Sequence, residues 1–375
     1  MNNKKKLLFT PGPITTSSTI KTAMIRDMGS REPEFINCVA KIRNDLLSLA
    51  ELNSDEYTAI LLPGSGTFGV EAVLSSVTPP SGKWLVIING AYGRRILDIL
   101  KIHNISTVTL EQDENILLDV DQVETMLLHD THITHIAIVH CETSSGMINN
   151  INLIGALAKK YNKTFFVDAM SSFGAVPINF NKANIDFLVT STNKCLESVP
   201  GCSIIFAKCA SLQATHGYAK TFALDLYSQW QYFLTTGEFR FTPPVQVLLA
   251  LQQALHELQC EGGIKKRFAR YTQNQKCLVE GMYQLGFKTY LPPMLQGCII
   301  TSFHYFDHVK FDFSCFYQQL YEKGHVIYPG KLLKENCFRI GNIGDIGIQE
   351  ITTLLESIKH TLGVMGIGIV IMTES

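Results

Sequence analysis

The sequence predicts an α/β protein with a large mixed, mostly parallel sheet and a smaller C-terminal α/β domain. Short apolar runs alternate with stretches of helical period: AILL from Ala59, WLVII from Trp84, IAIV from Ile136, FFV from Phe165 and FLV from Phe187. Repeated βα units of this kind build parallel sheets. A glycine-rich turn follows the first run, and polar residues end the later ones, which places them at the sheet edge where open α/β sheets take ligands. With 375 residues and 46% hydrophobic composition, the chain is long enough for two domains.

Charge and cysteine usage narrow the classes. Lys plus Arg number 32 against 33 Asp plus Glu, so no general field attracts nucleic acid or an anionic membrane. Ten scattered cysteines without a CxxC pair, and an opening MNNKKKLLFTPGP without a secretory apolar region, lead us to expect a reduced, cytoplasmic setting. The apolar run Leu362 to Met372 is too short to span a bilayer. It reads as an added strand or as a loosely ordered end.

Taken in order, LLFTPGPITT is an extended entry segment, and Ser17 or Ser18 is expected to cap a helix through Met28. Arg31 precedes a helix from about Phe35 to Leu49, and is either solvated or an anion contact. Residues 59 to 77 give strand, glycine-rich turn and helix. Backbone amides at that helix start, with Ser65, Gly66 and Thr67, make a phosphate-cup candidate. Gly64, Gly66 and Gly69 also satisfy GxGxxG, so an NAD-dependent dehydrogenase is a rival, although the next strand ends at Asn89 where an acid would be wanted.

NGAYGRR then sets Tyr92 at the functional edge, where an aromatic can lie flat on a ligand ring; Arg94 and Arg95 are expected in solvent. His129, His132 and His135 form HxxHxxH, but THITHIAIV reads as the entry to a strand, which would put them on opposite faces, so no metal site is expected. HCETSSG brings Thr143, Ser144 and Ser145 to the same edge. A helix from Asn152 to Lys160 leads into the strand that ends at Asp168, and DFLV runs on through Ser191 to Lys194. An acid and a lysine at one sheet edge suit pyridoxal phosphate chemistry, in which the lysine forms a Schiff base and the acid keeps the ring nitrogen protonated. Beyond Lys194, CSIIFAK from Cys202 is an antiparallel return strand. FTPP, with Thr242, opens a long helix. The domain junction is expected near Leu251 to Gly263, and Arg339 in FRIGNIG reads as a purposeful charge in an apolar strand.

TPGP, PGSGTFGVEA, NGAYGRR, HCETSSG, FVDAMSSFG, STNKC, FTPP and FRIGNIG together resemble the class V aminotransferases of fold type I, over essentially the whole chain except the extreme tail. Within that family they look like the members that move an amino group from 2-aminoethylphosphonate to pyruvate; alanine–glyoxylate or phosphoserine types are the alternatives. The resemblance implies a pyridoxal phosphate enzyme and a homodimer with shared active sites. Lys194 would carry the cofactor, Asp168 would meet the ring nitrogen and Tyr92 would stack on the ring. Ser65, Gly66, Thr67 and Ser191 would hold the phosphate, with Thr242 of a second subunit; Ser145 would lie near the ring. Arg339 would grip the substrate acid, and Thr16 and Arg31 are candidates for further phosphonate contacts. The expected division is an N-terminal segment, 1–20, a cofactor-binding domain, 21–255, a small domain, 256–362, and a tail, 363–375. Two departures stand out: Ser198 where glycine is expected after the lysine, and Val245 where threonine is common after FTPP.

Overall fold

The computed structural model describes residues 6–330 and 336–368. Its centre is a seven-stranded sheet in the spatial order Tyr57–Pro63, Cys202–Lys208, Phe187–Ser191, Thr164–Asp168, His135–Val139, Lys83–Ile88, Ser106–Glu111. Cys202–Lys208 runs antiparallel to both neighbours, and the other pairings are parallel. The central strands are buried along their whole length, which is why they read as unbroken apolar runs. Helices such as Gly66–Val77, Ala91–Ile102 and Ile151–Lys160 turn apolar stripes onto this sheet.

A second sheet joins Ile300–His304, Cys337–Gly341 and Tyr328–Pro329, all antiparallel. Its core gathers Phe303, Phe316 and Phe338 with Leu278 and Ile358 from the flanking helices. The entry segment belongs to this unit, because Leu7–Leu8 pairs in parallel with His325–Val326. The helix Val245–Glu261 ends at Gly262, and Gly263–Gln284 starts at once. Behind Lys194, Ile14, Cys195, Tyr271, Cys298 and Ile343 form a small apolar cluster that spans both sheets.

Three local expectations change. The helix capped by Ser17 covers Ser18–Ala23 and stops well short of Met28. Its Ile20 packs on Ala250 and Ala254 with Met24 beside them, whereas Ile25 stands 80% exposed and Met28 packs instead on the larger core, so the helical stripe does not continue. His129 closes a helix, His132 is exposed in the next turn, and only His135 enters the strand, where it stacks on Trp84 at 4.5 Å between ring centres. The apolar tail is in part helical, since Ile348–Val364 carries the buried Leu362, and Ile367 packs into the second core. Residues 369–375, and residues 1–5 of the N-terminal segment, lie outside the described residues. Among the described residues no helix is long and apolar enough to cross a membrane.

Candidate active site

The sheet edge shapes a cavity of about 180 Å³ whose walls include Ser65, Gly66, Thr67 and Tyr92 on one side and Asp168, Ser191 and Lys194 on the other. A wider groove of about 990 Å³ lies along residues 111–119, but no lysine lines it among the described residues. Chemistry, not size, singles out the smaller cavity.

Lys194 follows the strand Phe187–Ser191, and its Nζ donates to the carbonyl of Pro11 at 2.8 Å. The Pro-Gly-Pro turn therefore reaches from the second unit to the lysine. A Cβ on Gly12 would come within 2.5 Å of the Lys194 side chain, and Gly12 sits at φ +121°, so the turn has no room for another residue. Burial lowers the Lys194 pKa to about 8, although Asp168 works in the other direction. Asp168 ends its strand with Oδ1 accepting the Met170 amide at 2.9 Å. Burial raises its pKa to about 6, and the amide, Arg95 and Lys194 oppose that rise.

Ser65 caps the helix Gly66–Val77 through its backbone, without a side-chain hydrogen bond to the helix. Its hydroxyl and the first-turn amides thus face the cavity as anion donors. Gly66 lets Met170 lie directly against the helix start, because a Cβ there would meet Met170 Sδ at 2.0 Å. Ser191 Oγ donates to Asn193 Oδ1 at 3.0 Å.

Arg339 is buried on the strand Cys337–Gly341. Nη1 donates to the Thr143 carbonyl at 2.6 Å and Nη2 to Pro329 at 3.3 Å, while the guanidinium carbon lies 5.0 Å from the centre of the Tyr328 ring. Its Nε is buried without a hydrogen-bond partner among the described residues, and no carboxylate of those residues lies within ion-pair distance. A buried cation held only by neutral acceptors suits an anionic ligand.

The remaining sequence candidates lie outside the cavity wall. Ser145 is buried in the hairpin after His140, where its carbonyl accepts from Ser302 Oγ at 2.8 Å. Thr16 is buried, and its carbonyl accepts from Lys21 Nζ at 2.8 Å. Arg31 is 80% exposed and 3.7 Å from Glu238. Thr242 is exposed on the described chain.

Sequence reasoning missed Arg95 and Glu142. Arg95 remains exposed, as expected, yet it lines the cavity with its guanidinium 4.8 Å from the Tyr92 ring centre. The signal was its place one helical turn after Tyr92. Glu142 was legible only as a carboxylate in an otherwise uncharged strand end. The Ser198 departure is absorbed locally, with Ser198 extending its amide to Thr192 at 2.9 Å while the left-handed backbone falls on Glu197, φ +59°. Glu197 is anchored by Arg270 at 2.7 Å and by the Tyr271 hydroxyl, and Arg267 donates to the Cys195 carbonyl at 2.9 Å. The loop after the lysine is thus braced from the helix Gly263–Gln284. Val245 is the first residue of its helix.

A family model for aminotransferase class-V matches residues 15–316. The chain belongs to the class V aminotransferases. It is 46% identical over 355 residues to a 2-aminoethylphosphonate–pyruvate transaminase of Phocaeicola vulgatus, covering 94% of this chain and 98% of that one. A Bacillus cereus protein of the same name is 46% identical, with 96% and 98% covered. The pyridoxamine–pyruvate aminotransferase of Mesorhizobium loti has the same fold, with a TM-score of 0.89 at 23% identity over 99% of this chain and 95% of that one. Membership retires the dinucleotide reading of Gly64, Gly66 and Gly69; Asn89, where that reading wanted an acid, instead bonds Asn149 at 2.7 Å. As an aminotransferase of this class the enzyme depends on pyridoxal phosphate. The residues present fit that group: a helix start with Ser65, Gly66 and Thr67 on the cavity wall, a lysine amine whose pKa is lowered to about 8, and a buried carboxylate at the same sheet edge.

Proposed function

We propose that the enzyme transfers the amino group of 2-aminoethylphosphonate to pyruvate, giving phosphonoacetaldehyde and L-alanine, a step in phosphonate degradation. Arg339 carries this reading. One buried guanidinium whose Nε has no partner among the described residues suits both a keto-acid carboxylate and a phosphonate, so two half-reactions can share a pocket. The names of relatives 44 to 46% identical over nearly the whole chain support the choice of donor.

Pyridoxal phosphate, when bound, supplies an electron sink for the carbon next to the substrate nitrogen. Lys194 would hold the cofactor and, when released, would move the proton at the carbon next to the substrate nitrogen, a task that suits a buried amine whose pKa is lowered to about 8. Asp168 pairs with the protonated ring nitrogen, and Tyr92 fixes the plane of the ring. Ser65, Gly66, Thr67 and Ser191 hold the phosphate, and Ser145 stands near the ring. Arg339 orients the substrate acid, with Thr16 and Arg31 adding donors for the phosphonate.

We further read the enzyme as a cytoplasmic homodimer in which Thr242 of a second copy completes the phosphate cup. Phe222 and Phe241, exposed beside Thr242 and 5.7 Å apart between ring centres, support a covering partner. We divide the chain into segments 1–20, 21–255, 256–362 and 363–375; the separation of the two large hydrophobic cores supports the boundary between the middle two, while Phe9 and Ile367 of the outer segments pack into the second core. The test is single-turnover bleaching of the cofactor's visible absorbance with 2-aminoethylphosphonate, alanine and phosphoserine separately. We expect bleaching with the first and with alanine, the product of the reverse half-reaction, and little with phosphoserine. Equal rates with all three sink the donor assignment and leave the aminotransferase standing.

A further inference from the structure

The helix Ala91–Ile102 starts at Gly90, which has no side chain to cap it. The first amides of a helix have no acceptor within the helix. Here the acceptors come from the hairpin after His140. Ala91 N donates to Ser144 Oγ at 3.3 Å, Tyr92 N to Glu142 Oε2 at 3.1 Å, and Gly93 N to the same oxygen at 3.2 Å. Ser144 Oγ in turn donates to Glu142 Oε1 at 2.8 Å. Glu142 has no exposed surface, and a Cβ on Gly90 would approach its Cγ to 2.2 Å, so the carboxylate is seated tightly under the helix start. Burial pushes its pKa up to about 7, with the Ser144 hydroxyl and the amides opposing.

The same hairpin holds the other half of the pocket. Thr143, the next residue, provides the carbonyl that accepts from Arg339 Nη1 at 2.6 Å. We propose that Glu142 is a positioning residue: it caps the helix that carries Tyr92, sets where that ring lies against the cofactor, and fixes the carbonyl that orients Arg339. The inference rests on the cofactor placement proposed above.

A carboxylate is needed because donors arrive on both of its oxygens, backbone amides at Oε2 and the Ser144 hydroxyl at Oε1. Ser144 Oγ also accepts from Ala91 N, so its hydroxyl links the first amide of the helix to the carboxylate. Glutamine has one carbonyl oxygen, so its NH₂ would face either the helix amides, donor against donor, or the Ser144 hydroxyl, which would have to turn its proton away.

The experiment is a double-mutant cycle on the full-length protein. Pyridoxal phosphate affinity is measured by titrating apoprotein, and amide hydrogen exchange of residues 91–95 is followed without cofactor. Glu142→Gln is expected to speed that exchange about tenfold and to weaken cofactor affinity about tenfold. In a Tyr92→Ala background the same substitution should weaken affinity less than about twofold, because the residue it positions is gone. Unchanged affinity, or equal losses in both backgrounds, overturns the proposal. Ser144→Ala removes one link of the cap and keeps Glu142, so it serves if Glu142→Gln does not fold; about a threefold loss, again confined to the Tyr92 background, is expected, and no loss overturns. Wild-type apoprotein that takes up no pyridoxal phosphate defeats the reading of the site instead.

Discussion

Two regions of this enzyme each shelter a cation, and they treat it differently. At the edge of the seven-stranded sheet, Lys194 donates to one carbonyl among the described residues and its pKa falls to about 8. On the three-stranded sheet, Arg339 has two carbonyl partners and an aromatic face, and although burial lowers its pKa too, a guanidinium does not give up its proton. Desolvation thus makes a reagent of one and a fixed charge awaiting an anion of the other. The same physical cost serves chemistry in the first case and recognition in the second.

The sharpest way to break the contrast is to put the wrong cation at the first site. Lys194→Arg keeps the charge but removes the amine that can lose a proton. Turnover should fall on the order of 10⁴-fold, and borohydride should no longer fix pyridoxal phosphate to the chain, a result read by mass spectrometry. The wild-type lysine also has a pH signature. With a pKa of about 8 in place of 10.5, its free-amine fraction rises about tenfold between pH 7 and 9, whereas an unperturbed lysine's rises about a hundredfold. Stopped-flow capture of pyridoxal phosphate by apoprotein should follow the shallower curve. A hundredfold rise removes the claim that burial tunes Lys194.

The converse exchange is Arg339→Lys, which retains a charge at the second site but loses the planar fork. If the contact with the substrate acid is buried and charge-assisted, the cost is about 2 to 5 kcal/mol, and it should fall on both half-reactions, since both present an acid to the same guanidinium. Stopped-flow measurement of each half-reaction separates the outcomes. Loss confined to the phosphonate side argues that the keto acid docks elsewhere.

Both regions were legible in the sequence to different depths. Asp168 and Lys194 could be read because Asp168 closes the strand TFFVD and Lys194 follows soon after the strand FLVTS, and strand ends in a parallel sheet converge on one edge. Arg339 could be read because a charge inside FRIGNIG has to be compensated somewhere. Glu142 could not, because it caps a helix some fifty residues earlier in the chain, and tertiary capping leaves no local pattern. The Pro11 carbonyl on Lys194 was hidden for the same reason. The first helix was read too long because its periodicity continues past Ala23 while its packing partner does not.

The smallest expected effect tests whether Arg339 acts alone on the phosphonate. A bidentate guanidinium covers two oxygens, which satisfies a carboxylate and leaves the third phosphonate oxygen, with its share of a second charge, in want of a donor. Arg31 is the candidate cation: it is 80% exposed, and its contact with Glu238 at 3.7 Å is a surface pair that contributes little to stability. Arg31→Ala should therefore leave the melting temperature unchanged. It should lower kcat/KM for 2-aminoethylphosphonate roughly three- to tenfold, as expected for a solvent-screened charge contact of about 1 kcal/mol, and barely alter pyruvate. Because the side chain is solvated, that difference should shrink as ionic strength rises from about 0.01 to 1 M, where the screening length falls from about 30 to 3 Å. Thr16 is buried, so Thr16→Ala should act in the same direction without the salt dependence. Equal losses for both substrates, or none for either, would leave Arg339 as the sole recognised anchor and move the search for the third donor to the second copy of the chain.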